Sequence, residues 1–288
     1  MVGASGSAWG AGGREMTKRV QLIVAVLTAL AGCAQLPAAT VESDIERTWS
    51  QALVALPAGR GPELVGRMGE RAVVQRINEL RQRGRYPLVV FLHGCTGIGD
   101  APFFTELARL GYAVVVPDSF ARRYRPLQCD PKTLRGGNNL FVYDFRATEL
   151  TFALEQLSKV DWVDFNNLFL IGASEGAVSA ALFRGEVFNA RVLLQWTCHG
   201  QALVRGIDAP PTEPVLAIVR DGDPYYDPRN TPAQQGDCGA FMAGRPGSRS
   251  LIFEPASGLQ GHTLLGDPGV VYAVADFLAS AHRRGGRR

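Results

Sequence analysis

With 288 residues, 46% of them hydrophobic and 20% charged, the chain can bury the core of one full-sized globular domain plus extensions, and its composition excludes a disordered protein. A formal net charge of +3 is too small to argue for a nucleic-acid partner. The basic end, residues 283–288 after His282, reads as a solvated tail.

In chain order, the first organised feature is Met16-Thr17-Lys18-Arg19 followed by an uncharged run from Val20 to Leu30. This is the charged n-region and short apolar h-region of an export signal, too short for a comfortable membrane span. The run closes as Leu30-Ala31-Gly32-Cys33, which resembles a bacterial lipobox. The resemblance implies acylation of the Cys33 thiol and cleavage before it, and Ala34 after the cysteine implies the outer membrane, facing the periplasm. Residues 1–15 fit poorly before an n-region, and Met16 is the better start. Export puts the other cysteines, Cys95, Cys129, Cys198 and Cys238, in an oxidising compartment where disulfides persist. Three pairings are open. All four cysteines follow strand candidates on the carboxyl edge of the expected sheet, and Cys95–Cys129 with Cys198–Cys238 is the pairing expected. A zinc site is the weaker alternative, because no close Cys-x-x-Cys or histidine cluster supplies tetrahedral spacing.

Ala34 to Thr40 is a short Pro/Ala tether. Two polar segments of helical character follow, Val41 to Leu56 and Glu70 to Arg83, so residues 34–85 read as tether and N-terminal helical segment. From Tyr86 the pattern becomes regular. Short apolar runs at Leu88–Leu92, Ala113–Val116, Leu168–Ile171, Val192–Gln195, Val215–Val219 and Leu251–Phe253 are the signature of strands covered on both faces. Pro102–Leu110, Phe141–Val160, Glu175–Phe183 and Pro268–Ala281 read as helices. Residues 86–282 are thus expected to form one α/β domain, a mostly parallel central sheet with helices on both faces.

Ligands bind beyond the carboxyl ends of the strands in such sheets, so the residues after each run matter most. They are His93-Gly94-Cys95-Thr96-Gly97 after the first run, Ser174 after the third, Asp221-Gly222-Asp223 after the fifth, and Gly261-His262 after the last. Gly172-Ala173-Ser174-Glu175-Gly176 interrupts an apolar run and restarts as a helix. A serine on that sharp turn projects its hydroxyl out of the sheet, and the glycines avoid collisions with the neighbouring strand and helix. The first N–H groups of the following helix lack intrahelical partners and can donate to a developing oxyanion.

From Tyr86 to Ala281 the chain resembles the dienelactone hydrolase family of the α/β-hydrolase superfamily. The resemblance rests on Leu92 to Gly97, Gly111 to Phe120, Gly172 to Gly176, Asp221-Gly222-Asp223-Pro224 and Gly261-His262. It implies an α/β-hydrolase fold and esterase-type hydrolysis by a nucleophile, acid and histidine triad, with no metal or organic cofactor. Ser174 stands where the founding members carry a cysteine. The substrate implied is a small ester or lactone; the membrane enters only through the lipid anchor.

A serine hydroxyl needs a base to take its proton. His262 lies between the last strand and last helix, where this fold delivers its base. His199, which also follows a strand run, competes; His93 belongs to a turn the family uses for backbone geometry, and His282 lies at the tail. Alignment with the family puts Asp223 rather than Asp221 at the acid position, where it would hold the imidazole tautomer. The oxyanion hole is expected from the backbone N–H groups of Cys95 and Glu175. Arg122, Arg123 and Arg125 after the second run, and Arg146 in the long helix, read as solvated charges in preference to binders of a substrate carboxylate. Tyr225, Tyr226, Trp196 and Phe120 are placed to line the pocket, but aromatic residues after strands are more often packing. Two other readings remain open: the same triad acting on a peptide or a polysaccharide acetyl ester, and a non-catalytic lipoprotein using the fold to bind a ligand.

Overall fold

The computed structural model describes residues 1, 42–99, 101–137, 139–200, 204–229, 231–254 and 261–285. The expected signal segment, the lipobox with Cys33, the tether and the last residues of the basic tail lie outside them.

The first helix, α1 (Asp44–Ser50), starts because Ser43 and Glu46 form a reciprocal capping box, each side chain accepting from the other's backbone N–H. It stops well before Leu56. Leu53–Leu56 is a strand, β1, paired antiparallel to β2 (Leu64–Arg67). The expectation of a helix through Leu56 is therefore corrected. A short apolar run carries no period long enough to separate strand from helix, and β1 finds a ladder partner in β4 (Ala113–Val116) that local sequence does not reveal. The second expected helix is present as α2 (Arg71–Arg81).

The remaining elements follow the expected alternation: β3 (Tyr86–Leu92), α3 (Ala101–Arg109), β4, a two-residue ribbon of β5 (Cys129–Asp130) and β6 (Arg135–Gly136), α4 (Phe141–Ser158), β7 (Val163–Ala173), α5 (Glu175–Leu182), β8 (Ala190–Leu194), β9 (Val215–Arg220), β10 (Arg249–Phe253) and α6 (Pro268–Gly285). The main sheet has eight strands in the order β10-β9-β8-β7-β3-β4-β1-β2. Every pair from β10 to β4 is parallel, and β1 and β2 add an antiparallel edge. This is the expected α/β architecture, a mostly parallel central sheet with helices, but its sheet takes in residues before Tyr86. The boundary drawn there is not a structural one.

Alternation along the strands sends side chains to two cores. Leu88, Val90 and Leu92 of β3 join one cluster with Val73, Leu150 and Ala177 from α2, α4 and α5. Val89 and Phe91 join the other with Phe104 of α3 and Val274 and Phe277 of α6. Helices thus cover both faces. The chain runs from β3 towards β4 on one side and from β7 towards β10 on the other, so strand order reverses between β3 and β7, where a crevice opens beyond the carboxyl ends.

Candidate active site

Ser174 follows the last residue of β7 and caps α5 with φ 54° and ψ −117°, a left-handed conformation that an L-residue adopts only when its surroundings enforce it. Its backbone N–H is held by the Leu194 carbonyl of β8 at 2.8 Å. The flanking glycines permit the turn. A Cβ on Gly172 would lie 2.1 Å from the Gly176 carbonyl oxygen, and one on Gly176 would lie 1.9 Å from that of Leu92 in β3.

Three distant segments meet above this turn. The Ser174 hydroxyl lies 2.9 Å from Nε2 of His262, and the Nδ1 of that ring lies 2.6 Å from Oδ2 of Asp223. Nδ1–H donates to the carboxylate, which leaves Nε2 to accept from the hydroxyl. Asp223 is 5% exposed, and its Oδ1 accepts from the N–H of Tyr225 at 2.9 Å, so both oxygens are fixed. Asp221, two residues before it, is exposed and takes no part. His199 lines a cleft beside Ser174 that His262 does not line, and packs edge-on against Phe241, ring centroids 5.0 Å apart.

The His262 loop is clamped by residues the sequence did not single out. Gln195, after β8, donates its side-chain amide to the His262 carbonyl, and Arg220, at the end of β9, donates to that of Gly261. Gln195 holds φ 64°, and its own carbonyl accepts from the Tyr226 hydroxyl at 2.8 Å. The Tyr225 ring lies 4.4 Å from the imidazole. Tyr225, Tyr226 and Trp196 line the cleft beside Ser174, the pocket-lining role that stood beside packing as an expectation for them.

The largest correction concerns the arginines. Arg122, Arg125 and Arg146 are not solvated. With Glu149 and Glu175 they form a buried charge network under the site, their side chains 10%, 5% and 0% exposed. Arg125 meets Glu175 at 2.5 Å and stacks on Phe120; Arg122 meets Glu149 at 2.6 Å, and Arg146 meets it at 3.2 Å. Arg146 also donates to the His93 carbonyl at 3.0 Å and to His93 Nε2 at 3.2 Å. Nε2 accepts from the Ser119 N–H as well, and Nδ1 reaches the Gly94 carbonyl. Burial first, then the neighbouring Arg146 charge, pushes the His93 imidazole well below its ordinary range, so it stays neutral and fixes the turn that carries Cys95. A legible signal existed: an acid at position 175, inside a helix that must be buried, demands a cation. Arg123 alone of the loop trio is exposed, its backbone N–H donating to Asp44 at 3.3 Å.

Cys95 is bonded to Cys129, and Cys198 to Cys238, the pairing expected from the strand ends. The first bond ties the His93-Gly94-Cys95 turn to the β5–β6 ribbon. Two clefts open beside Ser174, of about 100 and 310 Å³, with Ser174, Cys95 and Tyr225 lining both. Among the described residues no group of three His, Cys, Asp or Glu side chains is placed to hold a metal, and no helix is long and apolar enough to cross a membrane.

No model of a known protein family matches the chain, and no curated protein resembles it in sequence. Solved structures resemble its shape. Est1E from Butyrivibrio proteoclasticus is 16% identical with a TM-score of 0.45, over 68% of this chain and 88% of that one. The Bacillus cereus carboxylesterase is 21% identical with a TM-score of 0.45, over 68% and 89%. A phospholipase/carboxylesterase from Dyadobacter fermentans is 14% identical with a TM-score of 0.45, over 69% and 92%. At such scores none of them bears on chemistry, which rests on the geometry of the site.

Proposed function

We propose that the protein is a serine hydrolase of carboxylic esters or lactones. The observation that carries this reading is the unbroken hydrogen-bonded series from the Ser174 hydroxyl through His262 to Asp223. In the first half-reaction Ser174 Oγ bonds to the acyl carbon while its proton passes to His262 Nε2. The tetrahedral intermediate then collapses, the bond to the leaving oxygen breaks, and His262 returns the proton to that oxygen. Water repeats the sequence on the acyl-enzyme and restores Ser174. Asp223 holds the tautomer and stabilises the imidazolium. The N–H groups of Glu175, first residue of α5, and Cys95 are assigned to the oxyanion, where a single donor is typically worth roughly 3–4 kcal/mol in the transition state.

A non-catalytic binder has no need of a strained serine or a doubly fixed carboxylate. The test is hydrolysis of short-chain p-nitrophenyl esters by the purified protein and its Ser174→Ala variant. Loss of turnover in the variant is expected; equal rates overturn the reading. Export and lipid anchoring at Cys33 complete the proposal and rest on residues 16–33 alone. Mass spectrometry of the mature protein tests them, expecting an acylated Cys33 as first residue and contradicted by an intact residue-1 or residue-16 terminus.

A further inference from the structure

The two clefts beside Ser174 differ in chemistry. His262 lines only the larger, with Thr263 and Leu265. The leaving oxygen must receive its proton from His262 Nε2, which places the leaving group in that cleft and the acyl chain in the other, walled by Gln128, Tyr143, Glu175, Val178 and Trp196.

Hydrogen bonding in the acyl cleft is incomplete in one direction. The Asn139 backbone N–H donates to Gln128 Oε1 at 2.8 Å, which fixes the orientation of that buried amide. Its Nε2 therefore points at the Tyr143 hydroxyl, 3.0 Å away, and the phenol oxygen is the acceptor. The Tyr143 proton then has no acceptor among the described residues. The phenol keeps that proton, because burial pushes its pKa up to about 12, with the Glu175 carboxylate adding to the rise. No lysine or arginine lines this cleft among the described residues, and Arg125 and Arg146 beneath it are engaged by Glu175 and Glu149. A substrate carboxylate would face Glu175 without a cation to receive it.

We propose that Tyr143, oriented by Gln128, donates a hydrogen bond to a neutral acceptor oxygen on the acyl chain, so that this cleft selects keto-, alkoxy- or hydroxy-acyl esters over plain or anionic ones. This rests on the ester-hydrolase reading. A buried donor left unmatched penalises the analogue lacking the acceptor.

The test uses p-nitrophenyl hexanoate and its 3-, 4- and 5-oxo derivatives. The wild-type protein should show kcat/KM about tenfold higher for at least one oxo isomer than for the plain ester, an ordinary hydrogen bond in a dry site. Tyr143→Phe should bring that ratio to about one; Gln128→Leu, which frees the phenol to turn away, should lower it. An unchanged ratio in Tyr143→Phe, or a wild-type ratio of one or less at every position, overturns the assignment. Binding to the Ser174→Ala protein by calorimetry separates it from the catalytic reading. Tighter binding of one oxo ester, lost when Tyr143→Phe is added, sustains the subsite even without turnover; equal dissociation constants overturn it.

Discussion

Gly176, in the first turn of α5, approaches Leu92 at the end of β3 so closely that a Cβ would stand 1.9 Å from the Leu92 carbonyl oxygen. Backbone fills that space, so nothing can rotate away. Gly176→Ala is expected to lower unfolding free energy by about 3 kcal/mol and to displace Ser174. Gly69→Ala, with nothing within 4 Å of its Cβ, should stay within about 0.5 kcal/mol of wild type. Paired denaturant melts check this; equal losses at the two positions would contradict it.

Asp223 fixes His262 through Nδ1 at 2.6 Å. Asp223→Asn keeps the shape but can present an N–H to that nitrogen and favour the wrong tautomer. A fall in kcat of roughly 10⁴-fold is expected, with little change in KM. Asp221→Asn should leave kcat within about threefold, as for an exposed substitution away from the reacting atoms. Steady-state kinetics of the two variants decide between the carboxylates.

His93 gives stability a pH dependence. Its folded pKa is lowered, so below about 6.5, the unfolded value, the unfolded chain takes up a proton that the folded one refuses. Its contribution is full above that pH. It is lost at up to about 1.4 kcal/mol per pH unit as pH falls towards the folded value. Thermal unfolding midpoints should drop from pH 7 to pH 5, and less steeply in His93→Gln, compared with wild type at each pH.

The Cys95–Cys129 bond closes 34 residues and ties the Cys95 turn to the β5–β6 ribbon. Chain entropy puts its worth at roughly 4 kcal/mol. The double variant Cys95→Ser/Cys129→Ser should lose about that much stability and, because the Cys95 N–H is assigned to the oxyanion, lose kcat as well. Denaturant melts alongside turnover test both; full activity in the double variant would show that the disulfide does not position the residue-95 N–H.

Much of this was legible in sequence because apolar runs such as Ala113–Val116 and the Gly-x-Ser-x-Gly turn depend on local composition. What was not legible depends on tertiary partners. Leu53–Leu56 is a strand only because Val114–Val116 offers an edge. Arg146 looked like a surface charge until Glu149, Glu175 and His93 closed around it. Gln195 and Arg220 clamp the His262 loop through backbone carbonyls, which have no side-chain signature.

The central claim is that His262 and Asp223 activate the Ser174 hydroxyl. Reaction of the folded protein with a fluorophosphonate tests it most directly, since phosphonylation of an alcohol requires that activation. One adduct, mapped to Ser174 by mass spectrometry and abolished in both Ser174→Ala and His262→Ala, is the result predicted. A folded protein that takes up no label, or takes it up at another residue, would contradict the account.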